Sequence, residues 1–196
     1  MMHCKFTDFN KINQSIRKDK VTVGKSLFIT SGGSLGETEI VLWESHPNSD
    51  EKSSLIVENY VSISSGCRFF LGGNHRNDWF CQHLLIDESI TKPDEVTSSG
   101  DILIGNDVWI GYGAIILSGT IIPDGCVIGA GAVVKGNFAP YDVIVGNPAK
   151  AVKKRFSDDI IDILSKLKWW NWDDEKIKKY SDILKSSNLE ELKKLL

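Results

Sequence analysis

The stretch from Ile104 to Val145 repeats every six residues, and that period decides what the chain can fold into. Ile104-Gly105-Asn106-Asp107-Val108-Trp109 is followed by Ile110-Gly111-Tyr112-Gly113-Ala114-Ile115, and further blocks begin at Ile116, Ile122, Ile128, Val134 and Pro140. Position one is Ile or Val in every block but the last, and position two is Gly in three of the first five. A helix repeats every ~3.6 residues and a strand every two, so neither alone explains a six. A fixed short period with a β-branched residue at one phase is the pattern of a parallel β-helix built from hexapeptides. Each six then supplies one short flat face and one corner. The Ile or Val at position one points inward, and small residues let the chain turn.

The period extends upstream, less regularly. Val57, Ile63 and Phe69 are again six apart, and Val21-Thr22-Val23-Gly24 with Leu27 and Ile29 reads as a poorly formed first turn. Ser31-Gly32-Gly33-Ser34 is a turn signal, Glu39–Trp43 reads as a strand, and His46–Lys52 is a polar loop. Residues 1–20 have no clear period and form a helical or irregular lead-in. Between Gly72 and about Gly100 the phase is lost. Such a long excursion on a rigid scaffold is where function concentrates. Trp79, Phe80, Leu84, Leu85 and Ile86 argue against disorder there.

After Val145 the period ends at Gly146-Asn147-Pro148-Ala149-Lys150, and the chain turns helical. Ser157 is a candidate N-cap, with Asp158 and Asp159 in the first turn and Ile160, Ile163, Leu164 and Leu167 at helical spacing. Trp169-Trp170-Asn171-Trp172 forms an aromatic elbow. A second helix carries Ile177, Tyr180 and Leu184, and a third starts at Asn188 with Glu191 in a capping box. These helices are too short to stand alone. The expected division is a β-helix over 1–156, with its excursion at about 72–101, and a helical cap over 157–196. The cap closes the open end of the coils or packs on a neighbouring subunit.

The formal net charge of −3 gives no electrostatic reason to expect a nucleic-acid partner. No apolar run approaches the ~18 residues of a membrane span, and Met1–Asn10 holds no signal-peptide core. Cys4, Cys67, Cys81 and Cys126 show no CxxC spacing and read as reduced thiols of a cytoplasmic protein.

Four motifs carry a family resemblance: Gly73-Asn74-His75-Arg76-Asn77-Asp78-Trp79; Gly105-Asn106-Asp107-Val108-Trp109-Ile110-Gly111; Val145-Gly146-Asn147-Pro148-Ala149-Lys150; and Lys154-Arg155-Phe156-Ser157 leading to the tryptophan elbow. In order and spacing the chain resembles the left-handed β-helix acyltransferases. Within them it is most similar to the xenobiotic (type B chloramphenicol and streptogramin A) acetyltransferases. Left-handedness comes from the resemblance alone, because the usual crossover rule gives right-handed connections. The resemblance implies an acetyl-CoA-dependent O- or N-acetyltransferase that forms homotrimers. Each active site would lie between two subunits, with one subunit's loop histidine facing acetyl-CoA along its neighbour's coils.

His75 is the candidate catalytic residue. Acetyl transfer needs a base to take the acceptor's proton as it attacks the thioester, and imidazole titrates in a suitable range. The thioester is already activated, so direct transfer needs no Ser or Cys nucleophile, and nearby Cys81 has no covalent role. By resemblance, the oxyanion donors are backbone N–H groups near Gly111-Tyr112, although Gly111 equally suits a plain corner. Trp109 corresponds to a tryptophan beside the pantetheine, or serves subunit packing. Ala130 and Gly131 would flank the pantetheine with Tyr112 one coil earlier, and Pro148 matches a position against the adenine. Lys135, Lys150, Lys153 and Lys154 are candidates for the CoA phosphates. Asn74, Arg76, Asp78 and Trp79 shape an acceptor pocket or brace the loop.

No metal is expected. The acceptor is a small polar molecule: a sugar, nucleotide sugar or polysaccharide precursor, or a hydroxylated antibiotic. The amino-terminal region and excursion look abbreviated against the antibiotic enzymes, which leans the expectation towards a sugar. Two other readings stand beside it. One is a non-catalytic trimeric scaffold. The other is a β-helix zinc carbonic anhydrase, which needs three converging histidines, whereas this chain has only His3, His46, His75 and His83.

Overall fold

The computed structural model describes residues 21–25, 28–29, 39–41, 53–82 and 96–196. The lead-in at 1–20, the turn at Ser31–Ser34, the polar loop at His46–Lys52 and the middle of the excursion all lie outside these residues.

The sixes fold as three-sided coils. The first face holds β1 (Val21–Val23), β4 (Leu55–Val57), β9 (Ile102–Ile104) and β12 (Ile121–Ile122) in parallel. The second face holds β2 (Phe28–Ile29), β5 (Ser62–Ile63), β10 (Trp109–Ile110), β13 (Val127–Ile128) and β15 (Asp142–Gly146). It is edged by β16 (Ala149–Lys154), which returns antiparallel to β15. The third face holds β3 (Glu39–Val41), β6 (Arg68–Phe70), β11 (Ile115–Leu117) and β14 (Val133–Val134). Ile104 pairs with Ile122, Ile110 with Ile128 and Ile116 with Val134, so three blocks make one coil. The coils form the left-handed β-helix of the hexapeptide acetyltransferases.

Position one fills the core. Val57, Ile63, Phe69, Ile104, Ile110, Ile116, Ile122, Ile128 and Val134 are all buried. Each such side chain removed from water contributes about 1.5–3 kcal/mol. Position five is buried too, through Val61, Cys67, Val108, Ala114, Thr120, Cys126 and Ala132. These smaller side chains sit beside the corners, where the prism has less room.

The corners explain the glycines. Gly111 lies under the next coil, and a Cβ there would meet the Ala130 nitrogen at 2.7 Å and the Ile128 oxygen at 2.8 Å. Position four takes a left-handed backbone, at φ 67° in both Gly113 and Gly131. Asp107 (φ 53°) and Tyr60 (φ 59°) hold the same turn with a side chain attached. Both stand on the edge between the first and second faces, and both grip the carboxy-terminal tail.

That tail comprises α1 (Asp158–Leu167), a 3-10 turn at Trp169–Asn171, α2 (Asp174–Leu184) and α3 (Leu189–Lys193). Ser157 precedes α1 in extended backbone but makes no side-chain cap, whereas Asp173 caps α2 by accepting from the Lys176 N–H at 2.7 Å. Only half of the expected capping box forms at α3. Asn188 Oδ1 accepts from the Glu191 N–H at 3.3 Å, but the Asn188 N–H goes to Ser186 Oγ. The Tyr60 and Trp169 rings lie 4.8 Å apart, and Arg155 bonds Asp107 and the Gly125 carbonyl. These contacts brace the tail along one edge, anchored on successive coils. An asparagine ladder stiffens the same edge. Asn59 donates to Asn106 Oδ1, and Asn106 donates to Asp124 Oδ1 at 2.7 and 2.9 Å.

The excursion leaves after Leu71 at the corner from the third face to the first and returns before Ile102. The register records it: Ile63 pairs with Ile110, far beyond the usual spacing of one coil.

Candidate functional site

Two short strands close the neck of the excursion. β7 (Asn74–His75) pairs antiparallel with β8 (Val96–Thr97), matching Asn74 to Thr97 and His75 to Val96. Alternate residues of a strand face opposite ways. Asn74 turns inward, where its amide Nδ2 donates to Ser99 Oγ at 3.0 Å and Ser118 Oγ at 3.2 Å. His75 is left exposed on the outer side.

Past the histidine the loop is held by contacts among its own residues. Arg76 donates two hydrogen bonds to the Asp78 carboxylate, at 2.8 and 2.6 Å, and its guanidinium lies over the Trp79 ring at 5.4 Å. The hydrogen bond from Arg76 holds the Asp78 carboxyl below the usual carboxylate range. Gln82 Nε2 donates to the Arg76 carbonyl at 2.7 Å. These contacts support bracing for Asn74, Arg76 and Asp78.

A second group of candidates lines a different edge, between the second and third faces. Trp109 opens β10 on the second face, 53% exposed, and Tyr112 stands on the corner that follows the strand, 48% exposed. One coil on, Ala130 and Gly131 are exposed at the same corner. The Gly131 N–H donates to the Tyr112 carbonyl at 2.8 Å, which stacks the two turns. The next layer is the turn between β15 and β16. Val145 packs over Gly129 and pairs with Lys150, and Pro148 lies at the tip. Trp109, Tyr112, Ala130, Gly131, Pro148 and Lys150 thus form one track across three layers.

Other candidates do not join it. Gly111 is buried, and its N–H donates to the Ile128 carbonyl at 2.8 Å. That donor belongs to the coil ladder, as suits the plain corner that was the other reading of this glycine. Lys154 is held by Asp142 at 3.0 Å and the Pro140 carbonyl at 2.7 Å. Lys153 pairs with Val143, back towards the tail edge. Lys135 follows β14 on the same edge as His75. Among the described residues no group of three or more His, Cys, Asp and Glu could hold a metal.

Residues missed in the sequence cluster at the neck. Ser53, Ser98, Ser99 and Ser118 bond to one another or to the strands around the excursion. Their one signal was the serine-rich return at Ser98-Ser99-Gly100, an unusual place for polar residues beside a packed coil. A separate cavity of about 170 Å³ lies between the tail and its edge, lined by Asp107, Arg155, Phe156 and apolar residues of the helices. It holds none of the candidate residues.

Parallel hexapeptide coils broken by a histidine-bearing loop define a hexapeptide-repeat acetyltransferase, and comparison with known proteins agrees. Residues 101–136 match the bacterial transferase hexapeptide (six repeats) family description. A chloramphenicol acetyltransferase from Morganella morganii is 38% identical over 188 residues, covering 91% of this chain and 88% of that protein. A virginiamycin A acetyltransferase from Staphylococcus aureus is 40% identical over 62 residues, covering 32% of this chain and 28% of that one. The fold matches a solved hexapeptide-repeat acetyltransferase from Vibrio cholerae in complex with acetyl coenzyme A. The TM-score is 0.51 at 18% identity, over 70% of this chain and 62% of the other. The chain belongs to the xenobiotic (type B) chloramphenicol acetyltransferase family.

Proposed function

We propose that the protein transfers acetyl from acetyl-CoA to a hydroxyl of an antibiotic of the chloramphenicol or streptogramin kind, with His75 as the general base. The base takes the hydroxyl proton as the acceptor oxygen attacks the thioester carbonyl. The CoA thiolate leaves and receives that proton, so the products are the acetyl ester and free CoA. Names of relatives aligned over most of the chain favour an antibiotic over the sugar that the loop lengths suggested.

One observation carries the reading: the exposed histidine and the aromatic track stand on different edges of the same prism. A working site therefore pairs His75 of one copy with the track of another, as in a closed ring of three. The track fits an extended thiol-bearing arm. It has two exposed aromatic rings, small residues at Ala130 and Gly131, and a lysine at Lys150 near its end for a phosphate. Lys135 shares the edge of His75 and would approach from the side of the base, whereas Lys153 and Lys154 lie away from the track. In this reading the coils of 1–156 are the catalytic body and 157–196 its brace.

Release of CoA thiol, measured with chloramphenicol, a streptogramin A and a panel of nucleotide sugars, tests the acceptor. Turnover with either antibiotic and none with the sugars is expected; turnover with the sugars alone overturns the assignment. His75→Ala tests the base. It is expected to keep acetyl-CoA binding and lose at least about 100-fold in turnover, the lower end for such a group.

A further inference from the structure

His75 has its direction set by its neighbour in the strand, because whatever holds Asn74 inward holds His75 outward. Asn74 is held by two serines, Ser99 Oγ at 3.0 Å and Ser118 Oγ at 3.2 Å, and of the two Ser118 is the one that belongs to the coils. This serine follows β11 on the third coil and is 1% exposed. Its Oγ accepts from Asn74 Nδ2 at 3.2 Å and from the Ser99 N–H at 3.1 Å. A single buried hydroxyl thus ties the departing strand, the returning strand and the coil beneath into one joint. Thr97 Oγ1 donates to the Asn74 carbonyl at 3.3 Å and closes the neck from the other side. Both of these Ser118 partners belong to the excursion. Two residues on, Thr120 instead bonds the Leu117 and Val134 carbonyls of the coils themselves.

We propose that Ser118 is a positioning residue of the transfer reaction, acting through Asn74 to fix the height and direction of the His75 imidazole over the neighbouring copy. The inference rests on His75 being the base. Alignment of a catalytic group is costly to lose: a displacement of about 1 Å can cost on the order of 100-fold. The third coil is then a template for the base as well as a wall.

Steady-state kinetics of Ser118→Ala, Asn74→Ala, Thr120→Val and His75→Ala separate the possibilities. In Ser118→Ala, kcat is expected to fall roughly 10- to 100-fold. KM for acetyl-CoA should stay within about twofold, because the track lies on another edge. The acid limb of the pH–rate profile persists, since the imidazole is still present. Asn74→Ala should behave alike, and the double variant should be no worse than either single, as expected for one joint. Thr120→Val, which disturbs the coil and not the neck, lowers the unfolding midpoint and keeps kcat.

If Ser118→Ala keeps wild-type kcat while His75→Ala is inactive, the positioning role is wrong and the base stands. If His75→Ala retains full turnover, the base is wrong and the positioning role falls with it. Should Ser118→Ala fail to fold, Asn74→Ala carries the same prediction, because Asn74 is only partly buried.

Discussion

Arg155 Nη1 lies 3.0 Å from the Asp107 carboxylate, across 48 residues of sequence, and joins the helical tail to the third coil. Asp107 does this from a left-handed turn that costs a non-glycine residue about 1–2 kcal/mol. Asp107→Ala keeps that cost and leaves a half-buried guanidinium short of a partner. We expect a loss of about 1–3 kcal/mol in urea unfolding. Asp107→Gly relaxes the backbone while losing the same pair, so it should be the milder change.

The same carboxylate gives a pH prediction. Burial pushes the Asp107 carboxyl up, and Arg155 offsets only part of this. A carboxyl raised in the folded state contributes stability that is fully present below its unfolded pKa and lost as pH rises through the folded one. The stability of the wild type minus that of Asp107→Asn should therefore fall with rising pH just above the ordinary carboxylate range, then level off. Urea midpoints of both proteins across that range measure it, and a difference that grows with pH would contradict the assignment.

Gly111, at position two of its block, and Gly131, at position four, should respond differently to the same substitution. Gly131→Ala meets open space and pays only the left-handed backbone, about 1–2 kcal/mol. Gly111→Ala drives a methyl into the Ala130 and Ile128 backbone, which cannot give as a side chain would. A cost of about 3 kcal/mol or more is expected. Thermal unfolding of the two variants should rank them in that order.

Thiol reactivity should follow burial. Burial pushes the Cys126 thiol up to about 11 and raises Cys67 as well, while Cys81 is exposed on the excursion. Alkylation of the folded protein, read by peptide mass spectrometry, should label Cys81 and spare Cys67 and Cys126 until urea is added. Cys81→Ser should retain activity, because transfer from a thioester needs no cysteine nucleophile.

How much of this was legible in the sequence depended on whether a signal was local. The inward Ile and Val at position one were readable because a six-residue period leaves them no other place. Position five was legible only as small or β-branched in several blocks, because residues as different as Cys126, Thr120 and Ala132 share it. The histidine loop was visible as a break in phase. Which edge each candidate occupies follows from counting in eighteens, the spacing of Ile110 and Ile128, and the antiparallel return of β16 along β15 ends that count. Hence Lys135, Lys153 and Lys154 could be grouped with Lys150 on paper and still fall elsewhere. Of the two readings open for Gly111, the plain corner is the one its N–H bond to the Ile128 carbonyl favours, and no local signal could show that bond. The tail's grip through Tyr60 and Asp107 was hidden too, since nothing local shows that a left-handed corner keeps its side chain for a partner.

The proposed site takes its base and its thioester track from different copies of the chain. Co-assembly of His75→Ala with Ala130→Trp, which blocks the track at an exposed position, tests it most directly. Each variant alone should be nearly inactive. Mixed in equal amounts and allowed to reassemble, they should recover about one quarter of wild-type turnover, because one interface in four then pairs an intact histidine with an intact track. A mixture no more active than its two components would contradict the account.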